Sequence, residues 1–465
     1  MPDESAPLML SVSGARGIVG ASMSEEVAAR YAAAFGEELG GAGSERLRLV
    51  IGRDGRTSGH ELSEAVVSTL SRMGCELIDI GVAPTPTVGI MTREFGADGG
   101  IVITASHNPI QWNGLKCLDS SGLAPPPGVV ERVIERFGSK GWSPSMAEQP
   151  GTVRRDGTAV AHHVEKVLGL VDPELVRGAG LQVVLDSVNA SGCEAGRMLL
   201  DGLGCDLTHL NGEQTGRFAH TPEPVAENLG ELSRLVASRP STACGFAQDP
   251  DADRLAIVDE SGRYIGEEYT LVLAVMRHLQ SRGPCPLVAN LSTSRMIDDV
   301  AARFPGAVVH RTAVGEANVV NGMRARDAEI GGEGNGGVIV RSIGWVRDSL
   351  VAMALVLELL ALERRPLSSI VAELPRYRMV KQKMDLSEVG GREAIPEALA
   401  RLVASHPPES VNDLDGVRID LPEGWVHVRA SNTEPILRVI SEAATLEEAE
   451  RLARDAGIRT GLLPG

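Results

Sequence analysis

From about residue 47 onward, short apolar β-rich runs alternate with longer helix-like stretches. This alternation constrains the fold more than any other feature of the chain. Leu47 to Asp54 reads as a strand, Ser58 to Met73 as a helix with Ser58 as its N-cap, and Cys75 to Gly81 as a strand. Pro84 to Phe95 reads as a helix and Gly99 to Ile103 as a strand. A Pro/Gly/Ser-rich linker is expected from Gly138 to Gly157. The theme then returns with helix Ala159 to Leu170, strand Leu181 to Val188, a helix from Ser191, a strand from Cys205, and Ala243 to Gln248. A third round has helix Glu267 to Gln280, strand Leu287 to Leu291, helix Ser294 to Phe304, strand Ala307 to Thr312, a Gly-rich turn at Gly331 and helix Asp348 to Leu362. Strands separated by helices favour parallel sheets covered on their faces. The tail is different, with strands near Tyr377 to Leu386, Val417 to Leu421, Trp425 to Ala430 and Leu437 to Glu442, and helices Arg392 to Ser405 and Leu446 to Ala456. The fold class read from this pattern is α/β. Three similar mixed α/β domains (1–155, 156–260 and 261–370) precede a smaller C-terminal α+β domain (371–465).

At 465 residues the chain is too long for one compact core. Only 3% of residues are aromatic, so the cores must be built from Val, Leu, Ile and Ala. The formal net charge of −17 argues against nucleic-acid binding and against adhesion to an anionic membrane. The longest apolar stretch, near Val351 to Leu362, is too short to span a bilayer and contains Glu358. No pair of the six cysteines has CxxC spacing, and Met1 to Ser5 lacks the pattern of a secretion signal. A cytoplasmic protein with reduced thiols, a monomer or homodimer, is the expectation.

Two motifs carry chemistry on their own terms. Thr104-Ala105-Ser106-His107-Asn108-Pro109 follows the strand Gly99 to Ile103, so a serine stands at a strand end, where α/β folds place ligands. His107 beside it can hydrogen-bond a group held there. In Asp249-Pro250-Asp251-Ala252-Asp253-Arg254, alternate carboxylates of an extended loop share a face and converge on one cation, for which Mg²⁺ is suited. Arg254 extends toward the same site. An EF-hand reading fails, because Arg254 stands where that loop requires glycine and the flanks read as strands.

Three further segments complete the set. Gly14, Arg16 and Gly17 lie in a glycine-rich N-terminal stretch, and Gly52-Arg53-Asp54-Gly55-Arg56-Thr57-Ser58 follows a strand and opens a helix. Arg16 is read as functional, Arg53 and Arg56 as structural ion-pair residues. In Gly332-Glu333-Gly334-Asn335-Gly336-Gly337 a glycine-rich segment carries a carboxylate that can accept two donors at once. Asp348, after Arg347, is either a support for the site or a helix N-terminal carboxylate. In Arg429-Ala430-Ser431-Asn432-Thr433-Glu434-Pro435 the side chains and turn amides can enclose a phosphate dianion.

With these motifs in this order, the chain from about Leu10 onward resembles the α-D-phosphohexomutases, the family of phosphoglucomutase, phosphomannomutase and phosphoglucosamine mutase. The resemblance implies four domains around a central cleft. It implies a phosphoryl group on Ser106, which is also a metal ligand beside Asp249, Asp251 and Asp253. Lys116 and Arg16 are implied to face the phosphoserine, Glu333 and Asn335 to bind sugar, and Arg429, Ser431, Asn432 and Thr433 to grip the non-reacting phosphate. Arg438 either assists there or is structural. Mg²⁺ and a hexose 1,6-bisphosphate are the implied cofactor and intermediate, and a sugar phosphate the small-molecule partner. Many members read Gly-Glu-x-Ser-Gly-His in the sugar loop, whereas this chain has Asn335 for the serine and Gly337 for the histidine. The GEGNGG form resembles archaeal-type phosphoglucosamine mutases, so glucosamine 6-phosphate is the expected substrate. Mannose and glucose phosphates are the alternative, and a non-catalytic sugar-phosphate- or Ca²⁺-binding protein is the rival class.

Overall fold

In a computed structural model of the chain, residues 7–12, 14–40, 46–385, 391–430 and 436–461 are described. They form two compact units, Met1–Ser281 with Asn335–Ile370, and Arg282–Gly334 with Val371–Gly465. The mixed α/β class read from the sequence is the class observed.

The first unit contains a seven-stranded sheet in the order Met9–Ser11, Gly14–Ile18, Trp112–Asp119, Gly99–Ile103, Arg48–Arg53, Glu76–Val82, Val153–Arg155. Its last four strands run parallel and the first four pair antiparallel. Leu49, Ile51, Ile101 and Ile103 pack there against Leu62, Val66 and Leu70 of the helix Gly59–Arg72 and against Tyr31 and Phe35 of the helix Glu25–Gly40. Every residue of Gly99–Ile103 is buried, which accounts for its unbroken apolar character. A four-stranded sheet follows in the order Leu255–Asp259, Thr242–Gln248, Gln182–Asp186, Asp206–Leu210. The antiparallel pairing of Gln248 with Leu255 makes residues 249–254 the turn of a hairpin. The helix Ser349–Glu363 is buried along almost its whole length. Among the described residues, no helix is long and apolar enough to cross a membrane.

In the second unit, Val308–Thr312, Pro286–Asn290 and Ile330–Glu333 are parallel neighbours. An antiparallel sheet has the order Arg378–Asp385, Ile436–Ala443, Gly424–Ala430, Val417–Asp420, Val411–Asn412. Its apolar face packs on the helices Ile395–Ala404 and Leu446–Arg459 through Leu402, Leu452 and Ala456.

Three local expectations differ from the structure. The expected linker contains the short strand Val153–Arg155, which gains partners by extending the parallel edge beside Glu76–Val82. The Gly-rich segment near Gly331 is in part the strand Ile330–Glu333, whose burial between neighbours outweighs the weak strand propensity of glycine. Ser58 does not cap the helix Gly59–Arg72 with its side chain; its Oγ instead accepts from Asn113 Nδ2 at 2.9 Å.

Candidate active site

The strand Gly99–Ile103 delivers Thr104, Ala105 and Ser106 at its C-terminal end. Ser106 is buried and takes a left-handed backbone conformation, φ +50°. A non-glycine residue there costs about 1–3 kcal/mol, so the surroundings must hold it. Its N–H donates to Thr104 Oγ1 at 2.8 Å, and that hydroxyl donates to Asp54 Oδ2 at 2.7 Å. Its carbonyl accepts from Arg56 Nη2. Arg56 is fully buried and its fork also donates to the carbonyls of Asn108 (2.7 Å), Pro109 (2.8 Å) and Trp112 (2.9 Å), while Nε pairs with Asp54 at 2.9 Å. Arg56 is thus an ion-pair residue, as expected, and also the clip that shapes the serine loop.

The acidic hairpin turn meets this loop. Ser106 Oγ donates to Asp249 Oδ2 at 3.1 Å. Asp249, Asp251 and Asp253 are all buried, and one ligand atom from each lies within 4.8 Å of the others. Lys116, on the neighbouring strand Trp112–Asp119, donates Nζ to Asp251 Oδ2 at 3.0 Å and to Asp253 Oδ2 at 3.3 Å. Thr85 adds Oγ1 to Asp251 Oδ2 at 2.7 Å and its N–H to the Asp251 carbonyl at 2.9 Å. The turn needs Ala252 at φ +52°, and Ser349 fixes it by donating both N–H (3.2 Å) and Oγ (2.7 Å) to the Ala252 carbonyl.

Three buried carboxylates this close cannot share one electrostatic fate. Burial, then the charges of Asp253 and Asp251, push Asp249 well above the usual carboxylate range. Burial also acts on Asp251, but the charge of Lys116 and the Thr85 hydroxyl outweigh it and hold that group low. For Asp253 burial is likewise outweighed, chiefly by Arg347 and then by Lys116 and Arg254. Oδ1 of Asp251 and Oδ1 of Asp253 are buried and accept no hydrogen bond. Three convergent carboxylates, two of them with an orphaned oxygen, suit a hard divalent cation, so the residues present fit Mg²⁺.

The remaining residues of this unit group around that centre. Arg16 Nη1 lies 3.5 Å from Asn108 Oδ1, and burial lowers its pKa, with Arg254 and Arg347 adding to the effect against Asp251 and Asp253. His107 Nδ1 is 3.4 Å from Ser106 Oγ; burial, then Arg254 and Arg16, lower its pKa to about 3, so the ring is neutral near pH 7. Arg254 donates its N–H to Asp249 Oδ1 at 3.2 Å, and its Nε is 3.8 Å from Asp253 Oδ1. Asn335 has an Oδ1 that is buried without a hydrogen-bond partner.

Glu333, Arg429 and Arg438 belong to the second unit. Glu333 is buried, and its Oε1 accepts from Asn290 Nδ2 at 2.7 Å and from the Gly315 N–H at 3.1 Å. Arg429 donates Nε to Asp415 Oδ2 at 3.0 Å, and the same oxygen accepts the Val314 N–H at 3.0 Å. Arg429 and Arg438 are directly opposed on adjacent strands, so both emerge on one face of the sheet. Ser431, Asn432 and Thr433 lie outside the described residues.

Sequence reasoning missed Thr85, which sits on another segment and has no motif. It also named Arg347 without a role, although Arg347 Nη2 donates to Asp253 Oδ2 at 2.7 Å. Asp348 proves to be the N-cap of the helix Ser349–Glu363, accepting from the Leu350 N–H at 2.9 Å, and it also bonds His163 Nε2 at 2.7 Å.

Four family models match the chain, all of phosphoglucomutase/phosphomannomutase: α/β/α domain I over residues 9–144, domain II over 161–262, domain III over 266–377, and the C-terminal domain over 379–456. A Thermococcus kodakarensis protein named phosphoglucomutase/phosphomannomutase is 38% identical over 94% of both chains. A Methanopyrus kandleri protein named probable phosphoglucosamine mutase is 38% identical over 95% of both. The crystal structure of a phosphoglucomutase/phosphomannomutase family protein from Burkholderia thailandensis matches with a TM-score of 0.82 at 25% identity, covering 97% of this chain and 98% of that one. The chain belongs to the phosphoglucomutase/phosphomannomutase family. It is accordingly an enzyme of the phosphohexomutase class, an isomerase acting on sugar phosphates.

Proposed function

We propose that the protein interconverts a hexose 6-phosphate and a hexose 1-phosphate by way of a phosphoryl group on Ser106, with glucosamine phosphates as the preferred pair. The observation that carries the reading is Ser106 Oγ at 3.1 Å from Asp249, inside a buried set of three carboxylates with Lys116 across it. The Ser106 Oγ–phosphorus bond breaks as the oxygen of the sugar's free hydroxyl bonds to phosphorus, giving a hexose 1,6-bisphosphate. Lys116, an ammonium paired with Asp251 and Asp253, is the candidate acid/base: it gives a proton to the departing Ser106 Oγ and regains one from the sugar hydroxyl, so protons balance over the step. The sugar then turns over, and its other phosphoryl group returns to Ser106. Arg16, Arg254 and Lys116 place positive charge where the transferring group gathers negative charge. Asp249, Asp251 and Asp253 would hold a Mg²⁺, which would supply further charge neutralisation beside Ser106. Glu333 and Asn335 take the sugar hydroxyls, and Arg429 with Ser431, Asn432 and Thr433 takes the distal phosphate. In this reading the segments 1–155, 156–260, 261–370 and 371–465 each contribute one loop.

The glucosamine preference rests on the GEGNGG loop and agrees with the name of the Methanopyrus relative. The name of the Thermococcus relative favours glucose and mannose phosphates as the second reading. Intact mass before and after phosphatase treatment should reveal one removable phosphoryl group that maps to Ser106, and Ser106→Ala should lose at least ~10³-fold in turnover. Full activity in that variant would refute the serine's role. Fast turnover of mannose 6-phosphate beside negligible turnover of glucosamine 6-phosphate would reverse the substrate choice.

A further inference from the structure

Arg347 reaches Asp253 by passing directly over Gly337. A Cβ built on that glycine would lie 2.8 Å from Arg347 Cγ and closer still to Cδ, and 3.1 Å from Asn335 Oδ1. No side chain at 337 can share that space with the arginine stem, so the glycine at this position has a local steric cause. The far end of the stem donates Nη2 to Asp253 Oδ2 at 2.7 Å. Lys116 Nζ lies 3.3 Å from the same oxygen, so two cations engage Oδ2 while Oδ1 of that carboxylate accepts no hydrogen bond.

The backbone beneath the arginine is anchored from several directions. The Asp348 N–H donates to the Val338 carbonyl at 2.8 Å. The Asp348 carboxylate caps the following helix and holds His163 Nε2 at 2.7 Å, and the other ring nitrogen of His163 faces Thr87 Oγ1 at 2.8 Å. Ser349 grips the Ala252 carbonyl inside the acidic turn and accepts from Gln248 Nε2 at 2.8 Å. A long side chain whose base is held this firmly delivers its guanidinium to one place at small entropic cost.

We propose that Arg347 is a positioning residue of the phosphoryl centre, and that residue 337 is glycine so that this arginine can pass. Arg347 engages Oδ2 of Asp253 beside Lys116, and its charge offsets part of the charge of the three aspartates where the phosphoryl group is transferred. This inference rests on the phosphohexomutase reading of Ser106 and the acidic turn. It gives a distinctive expectation. Removing a positive charge beside three carboxylates strengthens their attraction for a divalent cation, while it weakens stabilisation of a phosphoryl dianion. A merely structural loss would loosen the turn and weaken both.

The test uses Mn²⁺ as the probe, with binding to the full-length protein followed by the electron paramagnetic resonance of free Mn²⁺. Arg347→Met should bind Mn²⁺ at least 3-fold tighter than the parent, yet turn over glucosamine 6-phosphate at least 10-fold more slowly, with KM changed by less than about 3-fold. Arg347→Lys, which keeps the charge, should stay within about 3-fold of the parent in Mn²⁺ affinity. Gly337→Ala should shift both quantities in the same direction as Arg347→Met and add nothing in the double variant, because it acts through the same side chain. Mn²⁺ affinity unchanged or weaker in Arg347→Met, unchanged turnover in that variant, or additive losses in the double variant would each overturn the proposal. Thermal melting checks the fold of every variant. If Arg347→Met does not fold, parental Mn²⁺ affinity in folded Gly337→Ala overturns the proposal and tighter binding supports it. Absence of mutase activity in the parent would sink the functional reading instead, and the Mn²⁺ comparison would still judge Arg347.

Discussion

Ser106 shows how much a single backbone angle decides. The residue combines the hydroxyl proposed as nucleophile with φ +50°, a conformation that β-branched side chains occupy only under strain. A threonine there keeps the hydroxyl but crowds its own backbone, against carbonyl contacts that Arg56 holds in place. Ser106→Thr is therefore expected to lose at least ~10²-fold in kcat and about 1–2 kcal/mol of stability, read by steady-state kinetics and urea titration. Parental activity in that variant would mean that the left-handed turn is not required. The motif itself was legible as a short Ser-His-Asn-Pro run after an apolar strand. The angle was not, because it is set by Arg56 and Asp54, which lie about fifty residues earlier in the chain.

Elements carry the next layer of argument. The helix Ser349–Glu363 has one carboxylate in an otherwise apolar middle, and the sequence used Glu358 only to exclude a membrane span. In the structure Glu358 Oε2 lies 2.8 Å from Arg277 Nε on the helix Glu268–Arg282, an ion pair without an aligned hydrogen bond, and its Oε1 accepts the Asp172 N–H at 2.8 Å. Glu358→Ala leaves Arg277 buried beside nothing of opposite charge at that point and should cost about 3–5 kcal/mol in urea unfolding. A second prediction concerns the segment around His220, which is tied to the end of the strand Gln182–Asp186 by His220 Nε2 at 3.0 Å from Asp186 Oδ2. Burial would lower this imidazole, but the Asp186 hydrogen bond and charge outweigh it and raise its pKa above the ordinary value. A histidine raised on folding stabilises the folded state fully below its unfolded value near pH 6.5, and the gain disappears as pH rises through the folded value. The stability difference between the parent and His220→Asn should accordingly be largest near pH 5–6 and shrink toward pH 9. A difference that grew with pH would contradict this.

At the scale of the molecule, the net charge of −17 and the recognition of an anionic substrate are reconciled locally. Arg16, Lys116, Arg254 and Arg347 surround three aspartates, so positive charge is concentrated beside Ser106, where the proposed phosphoryl group would sit. A divalent cation held by the acidic turn, as proposed, would be linked to folding. After chelator treatment, adding Mg²⁺ to about 100 times its dissociation constant should stabilise the first thermal transition by about 2.7 kcal/mol, seen as a rise of a few degrees. Asp251→Asn should largely abolish that rise, and an equal rise in that variant would place the cation elsewhere.

The sequence by itself determined the order of strands and helices, the three aspartates on alternate positions, and the serine at a strand end. Those features are local: strand periodicity, helix length and a short loop are written in consecutive residues. Only the tertiary structure decided that Thr85, Arg56 and Arg347 serve the same centre, because each comes from a different segment and meets the others across packed elements. Gly337 makes the point most directly. As a letter it is a departure from a familiar pattern, and in space it is the gap through which an arginine passes, a reason that exists only once the side chain of residue 347 has been folded over it.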